Sequence, residues 1–436
     1  MREPNPGDKV VVTTADNQFQ GIIMPRPSLS DASQLTIKLD NGYNVGIKLK
    51  DIKKMSVLTG NPHSKKHPLT PVASSAGKPT VSIISTGGTI SSHIDYRTGG
   101  VYAASTAGEL LASIPELKAV ANIKTVSLMN VMSEDMNPRL WRDIAVCASD
   151  ELNAGASGVV ITHGTDTMHY SAAALSFILP NLGKPVILTG AQRSSDRGSS
   201  DTYLNLLCST IFATKEYGGV YVVMHGSLND EFCLAHNGTR VRKMHTSRRD
   251  AFQSINVKPV AKVFADGRIQ EVGGPSHPRE NTKTKPELKL EEKVALLRIY
   301  PGMDPKIIDF YIDRDYKGLV FEGTALGHVP TTIKETSLIP KIELARDAGI
   351  TMAMTTQCLY GRVHPLVYSN LREVSSRGVI YCEDMLPETT YAKLMWVLGH
   401  TKKPEQIKQM MLSNYVGEVS EQTIIDDQTQ YPNSQM

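Results

Sequence analysis

The sequence predicts an α/β protein: two doubly wound α/β domains preceded by a small all-β, barrel-like N-terminal module. Three observations carry this. The first 60 residues hold short β-rich runs separated by turn residues. After Pro79, apolar β-type runs alternate with helical stretches, the order that gives a mostly parallel sheet covered by helices. Two threonine-bearing turns, Ser85-Thr86-Gly87-Gly88-Thr89-Ile90 and Thr162-His163-Gly164-Thr165-Asp166-Thr167-Met168, each directly follow such a run. They therefore lie at strand carboxyl ends, where open α/β sheets place their chemistry.

The N-terminal module (residues 1–60) is read from Lys9-Val10-Val11-Val12, Gly21-Ile22-Ile23, Leu35–Leu39 and Tyr43–Ile47. Asp40-Asn41-Gly42 between the last two is a hairpin signal, because Asn-Gly accepts the positive φ of a tight turn. An SH3-like or similar barrel is expected. Its eight basic and six acidic residues leave an excess too weak to mark a nucleic-acid surface, so a docking module is the plainer reading.

Residues 61–79 carry Pro62, Pro68, Pro71 and Pro79 and read as an extended linker. The first α/β domain (80–270) contains strand-like Ser157–Thr162, a helix over Asp166–Leu179 and strand-like Lys184–Thr189. A helix over Asp201–Thr214 and a strand over Gly219–Met224 follow. A polar break (271–292) leads to the second domain (293–413). That domain opens with Val294–Leu297 and Gly318–Phe321 and ends in helices near Glu388–Leu398 and Pro404–Met411. Residues 414–436 hold Glu418, Glu421, Asp426 and Asp427 and no basic residue, an acidic tail.

Composition excludes several classes. Of 436 residues, 47 are basic and 44 acidic, a formal charge of +3 that gives no general drive toward nucleic acid or anionic membrane. Five cysteines, all far apart and odd in number, argue against a disulfide framework or a zinc site and for a reducing compartment. The start, Met1-Arg2-Glu3-Pro4, lacks a signal-peptide core, and no apolar run is long enough to span a bilayer. A cytoplasmic, soluble protein is expected.

The chemistry is concentrated in the two turns. Neither contains a lysine, so neither is a GxxxxGK[ST] phosphate loop. A threonine hydroxyl is a poor nucleophile and needs a positioned base or relay. Gly87 and Gly88 let the chain bend sharply beside Thr86, although alone this also reads as a structural turn. Thr165 and Asp166 stand where a strand enters a helix, so free N–H groups and the helix dipole would favour an anionic substrate group. Asp166 could read an α-ammonium; both residues also read as helix caps. Lys243, in Arg240-Val241-Arg242-Lys243-Met244-His245, could lower the pKa of a threonine or relay its proton, or be one more surface lysine. His163 and His169 match no HExxH spacing, and Ser194-Ser195 and Cys208 have no base motif beside them.

These residues resemble the type I L-asparaginase family over residues 79 to about 413. In it a Thr-Gly-Gly-Thr-Ile turn carries the nucleophile, and a His-Gly-Thr-Asp-Thr turn carries a Thr-Asp pair joined by a lysine. The resemblance implies Thr86 as nucleophile, assisted by Thr165, Asp166 and Lys243. Ser133 and Glu134, before Asp135-Met136-Asn137, match the family's substrate-binding step, which with Asp166 would hold the substrate. Asp384-Met385-Leu386-Pro387-Glu388 with Lys393-Leu394 resembles the cytosolic branch. Two departures stand out: the N-terminal module with its linker, and the lack of a match for the family's mobile-loop tyrosine, since neither Tyr96 nor Tyr102 aligns.

With the run Phe321–Pro330, this architecture is similar to the GatD family of archaeal glutamyl-tRNA(Gln) amidotransferases. That similarity implies a glutaminase. Ammonia released from glutamine would pass to a GatE-type partner subunit, which uses ATP and Mg to amidate Glu-tRNA(Gln). The chain itself shows no ATP motif and would need no cofactor and no metal. A homodimer is expected by resemblance. Two alternatives stay open: a free-standing cytosolic L-asparaginase with an accessory domain, and a non-catalytic tRNA-docking or assembly subunit.

Overall fold

A computed structural model of the chain describes residues 4–24, 33–39, 44–59, 77–87, 92–94, 101–103, 114–193 and 200–423. Strands β1 (Lys9–Thr13), β2 (Gln18–Ile23), β3 (Gln34–Leu39), β4 (Asn44–Lys48) and β5 (Lys54–Thr59) form one antiparallel sheet in the order β4-β3-β2-β1-β5. Residues of β1 alternate, with Val10 and Val12 fully buried between partly exposed neighbours, as a half-buried pleat requires. They join Ile23, Ile37 and Ile47 in a small core that belongs to this module alone. The Asp40-Asn41-Gly42 turn lies outside the described residues; the strands beside it pair antiparallel from Gln34↔Lys48 to Lys38↔Asn44. Most of the proline-rich segment, residues 61–76, lies outside them too.

The main sheet is built from β6 (Thr80–Ser85), β9 (Asn122–Ser127), β10 (Gly158–Thr162), β11 (Pro185–Thr189), β12 (Tyr217–His225), β13 (Cys233–Asn237), β16 (Ala261–Val263) and β17 (Ile269–Glu271). Between these in the chain lie two separate hairpins, β7 (Ser92–Ile94) with β8 (Val101–Ala103), and β14 (Val241–Lys243) with β15 (Phe252–Ser254). The sheet order is β17-β16-β13-β12-β11-β10-β6-β9, and β18 (His277–Pro278) pairs antiparallel with the start of β12. From β9 to β12 every pairing is parallel; beyond β12 every pairing is antiparallel. The parallel part is the predicted one. The antiparallel extension follows from its connections: β12–β13 and β16–β17 are joined by short loops, and the longer β13–β16 connection holds the β14–β15 hairpin and no helix to cross the sheet.

Helices cover both faces, so the parallel strands are apolar throughout. Ile84, Val159, Ile161, Val186 and Leu188 point into one core, with the helices Pro138–Asn153 and Met168–Ile178. Val81, Ile83, Val160 and Ile187 point into the other, with the helix Thr202–Ala213. The helix Pro138–Asn153 begins at a well-formed cap: Asn137 accepts from the N–H groups of Arg139 and Leu140, and Pro138 occupies the first turn.

The C-terminal unit has a wholly parallel sheet, β19 (Val294–Arg298), β20 (Gly318–Gly323), β21 (Thr351–Thr356) and β22 (Ile380–Tyr381). Val320, Ala353 and Leu394 share a continuous core with Ile161 and Leu175 of the first unit. The two α/β units are thus fused through apolar packing. The acidic segment after Asn414 is docked in its first half. Glu418 is fully buried, its carboxylate 2.6 Å from Lys393 Nζ and accepting from the N–H groups of Tyr415 and Val416. Burial lowers the Lys393 pKa, and Glu418 opposes that shift. No helix among the described residues is long and apolar enough to cross a membrane.

Candidate active site

Parallel pairing sets the two threonine turns side by side. Ser85 at the end of β6 registers with Thr162 at the end of β10, so the residues that follow leave the sheet together. Thr86 is fully buried, and both its N–H and its Oγ1 donate to the Thr162 carbonyl, at 3.1 and 2.8 Å. Gly87 has φ +107°, and a Cβ there would lie 2.6 Å from the Val131 carbonyl oxygen. Glycine is required at this bend. Gly88, Thr89 and Ile90 lie outside the described residues, as do Tyr96 and Ser194-Ser195; of Tyr102 only its place on β8 is described.

In the second turn, Lys243 Nζ donates to Thr165 Oγ1 at 2.8 Å and to Asp166 Oδ1 at 2.7 Å. The lysine is not a solvated surface residue: its side chain is 9% exposed, against 68% for Asp166. Nor do Thr165 and Asp166 cap the helix, which starts at Met168 after Thr167 and has no side-chain cap bond. Thr165, Asp166 and Lys243 line a cleft of about 210 Å³ together with Ser133 and Glu134 from the short turn Ser133–Asp135. Thr167 Oγ1 donates to the Ser133 carbonyl at 2.5 Å, joining that turn to the Thr165 turn. A Cβ at Gly164 would sit 2.7 Å from the Ser133 Cβ, so glycine lets the turns close up. Thr86 is brought to the neighbouring strand end but does not line this cleft; its hydroxyl faces the Thr162 carbonyl.

A buried hydrogen-bond chain sets the backbone before Thr165. Trp141 Nε1, a donor only, donates to Ser171 Oγ at 2.9 Å; the Gly164 carbonyl beside His163 Nδ1 can only accept, so in the neutral ring Nε2 accepts from the Ser171 hydroxyl, 2.9 Å away. His163 Nδ1 therefore carries the proton and donates to the Gly164 carbonyl at 2.6 Å. Burial lowers the His163 pKa to about 4, which keeps the ring neutral in this chain. His163 is thereby committed to protein partners.

Sequence reading missed Gln192, which lines the cleft from the loop after β11. Its N–H and that of Arg193 donate to the buried Asp201 carboxylate at 3.0 Å. Burial raises the Asp201 pKa, and these two N–H groups work against the rise. An aspartate opening the Thr202–Ala213 helix was visible in the sequence, but not its reach back to the preceding loop.

Comparison with known proteins places the chain among relatives of the same domain make-up. Residues 80–273 match the family described as "Asparaginase, N-terminal", and residues 293–411 the "Glutaminase/Asparaginase C-terminal domain". Residues 4–58 match the "GatD N-terminal domain". A curated relative from Pyrococcus abyssi, the GatD chain of its glutamyl-tRNA(Gln) amidotransferase, is 51% identical over 98% of this chain and 97% of its own. The corresponding chain from Methanothermobacter thermautotrophicus is 46% identical over 96% and 95%. Among solved structures, the thermostable L-asparaginase from Thermococcus kodakarensis superposes with a TM-score of 0.69 at 32% identity. L-asparaginase I from Vibrio cholerae gives 0.68 at 27%. Each covers 79% of this chain and 100% of its own.

Proposed function

Since this chain belongs to the GatD family of glutamyl-tRNA(Gln) amidotransferases, an asparaginase-type family, we propose how its residues release ammonia from glutamine. The protein is the amidohydrolase subunit, a glutaminase. In our reading, Thr86 is the nucleophile. Its Oγ1 rotates away from the Thr162 carbonyl and attacks the side-chain amide carbon of glutamine. The hydroxyl proton passes to Thr165 Oγ1 as Thr165 gives its own proton to the amide nitrogen, the Lys243 ammonium stabilising the charge that develops on Thr165; the C–N bond breaks and ammonia leaves. Water then attacks the acyl ester, glutamate departs and the Thr86 hydroxyl is restored.

The single observation that supports this most is the Lys243 bridge. A nearly buried ammonium engages both Thr165 Oγ1 and Asp166 Oδ1 at the mouth of a cleft. Because Lys243 donates to it, the Thr165 hydroxyl is polarised toward giving up its own proton to a neighbour. Asp166 and Glu134, both exposed in the cleft, suit the substrate α-ammonium, and Ser133 suits its polar groups. The chain needs no cofactor of its own on this reading; ATP and Mg serve a GatE-type partner, which amidates Glu-tRNA(Gln) with the ammonia. We further propose that the catalytic chain is a homodimer acting in the cytoplasm.

The test is glutamine-dependent ammonia release by the purified chain, with and without Glu-tRNA(Gln) and a co-purifying partner. Ammonia coupled to Gln-tRNA(Gln) formation is expected. Rapid asparagine hydrolysis indifferent to both additions would favour the free-standing asparaginase, and no ammonia under any condition would overturn the mechanism.

A further inference from the structure

Outside the cleft, a cluster of buried charge lies where the two α/β units meet. Arg240 directly precedes β14, and within β14 Arg242 and Lys243 alternate, so these two side chains leave opposite sides of the strand. Both arginines end on carboxylates of the C-terminal unit. Arg240 Nη1 is 3.0 Å from Asp384 Oδ2, a pair 0% and 2% exposed. Arg242 Nε is 3.0 Å from Glu388 Oε1, with Glu388 only 4% exposed. The same Oε1 lies 3.6 Å from His169 Nε2, in the first turn of the helix that follows Thr165-Asp166.

One carboxylate oxygen thus touches both halves of the Lys243 bridge: the strand carrying Lys243, through Arg242, and the helix behind Thr165 and Asp166, through His169. Glu388 Oε2 and His169 Nδ1 are buried with no partner. Such an arrangement is a poor way to gain stability, since a well-packed apolar contact does as well without removing charges from water. What it supplies is a fixed distance between two elements.

We infer that Glu388 and Arg242 form a positioning pair for Lys243, through which the C-terminal unit sets the Lys243–Thr165 contact. The inference rests on the amidohydrolase reading. It gives a role to Asp384-Met385-Leu386-Pro387-Glu388, which no step of the chemistry uses. The surroundings agree. Burial would raise the Glu388 pKa, but the neighbouring His169 ring and the Arg242 guanidinium bring it below the ordinary value. The carboxylate therefore stays ionised. Glu322 on β20 and the Tyr170 phenol face the same group, and burial followed by repulsion from Glu388 raises both. Arg298 stands 3.9 Å from Glu322 on its far side.

The experiment is a double-mutant cycle on the full-length protein with Glu388→Gln, Arg242→Gln and the double variant, each with a thermal melt and wild type measured alongside. Since small misplacements of catalytic groups cost large factors in rate, kcat for glutamine is expected to fall about tenfold in each single variant. KM should stay within about twofold, and the double variant should lose no more than either single one. Three outcomes overturn the proposal while wild type is active: kcat unchanged, losses that multiply, or losses that vanish when rates are expressed per folded molecule. An inactive wild type would instead overturn the amidohydrolase reading itself, and the proposal with it.

Discussion

The hydroxyl of Thr86 donates to the main-chain carbonyl of Thr162, 2.8 Å away, and the two residues sit at the ends of adjacent parallel strands. This bond holds the proposed nucleophile in a defined rotamer facing away from the cleft, so turnover requires one rotation about a single side-chain bond. Thr86→Val keeps the shape and removes the hydroxyl. Ammonia release should disappear while stability falls by only about 1 kcal/mol, the cost of one neutral hydrogen bond. Residual glutaminase activity in a folded Thr86→Val protein would remove Thr86 from the nucleophile role.

Lys243→Met leaves Thr165 Oγ1 and Asp166 Oδ1 without their shared donor. Proton transfer through Thr165 contributes roughly 10²–10⁴-fold in rate and depends on this donor to polarise the hydroxyl, so kcat should fall within that range. Steady-state kinetics with glutamine checks this. A loss confined to KM would mean that Lys243 serves substrate binding and takes no part in the chemical step.

Gly87→Ala introduces a Cβ at φ +107°, 2.6 Å from the Val131 carbonyl. Strain of this kind costs about 1–3 kcal/mol, and relief by movement of the turn would displace Thr86. Denaturant unfolding should show the loss together with a fall in kcat. A variant with wild-type stability and wild-type rate would show that the bend is not required.

Two buried histidines predict the acid side of the stability profile. Burial lowers His163 to about 4 and His236 to about 3, from an ordinary 6.5. The unfolded chain takes up these protons first. The fold therefore has the full benefit of these two residues above about pH 6.5, loses it progressively as pH falls below that value, and the loss levels off only below about 4 for His163 and about 3 for His236. At about pH 5 the loss should be of order 1–2 kcal/mol for each. Urea unfolding compared at about pH 7 and about pH 5 measures it. Replacing both histidines by asparagine should flatten the difference; an equally steep dependence in that variant would refute the assignment.

Removal of residues 1–60 tests the proposed docking role of the N-terminal sheet, whose small core is its own. Amide hydrolysis should persist within a few-fold, and association with the partner subunit should weaken, as read by co-purification. Loss of hydrolysis with association intact would contradict this division of labour.

Much of the architecture was legible because its signals are local. Val81-Ser82-Ile83-Ile84 and Gly158–Ile161 are apolar in both parities, which only a strand covered on both faces requires, and each runs straight into its threonine turn. The antiparallel half of the main sheet was not legible, since pairing direction depends on the length and path of connections. Lys243 in its basic run read equally well as a surface lysine by residue pattern alone, and only the resemblance to the asparaginase family singled it out. Gln192 and Glu388 offered no spacing to read, because their partners come from distant segments.

The sequence by itself determined which chemical groups the protein carries and on which local elements they sit: a glycine bend after one strand, a threonine-aspartate pair after another, an all-β module in front. Tertiary structure alone decided which groups meet. Lys243 reaches Thr165 across a separation of 78 residues, and Arg242, beside it, meets Glu388 from the other α/β unit. The physical reason is range. Turn conformation and strand alternation are set by neighbours a few residues away, whereas a hydrogen bond or an ion pair needs its partners within about 3–4 Å, a condition that only the packed core imposes.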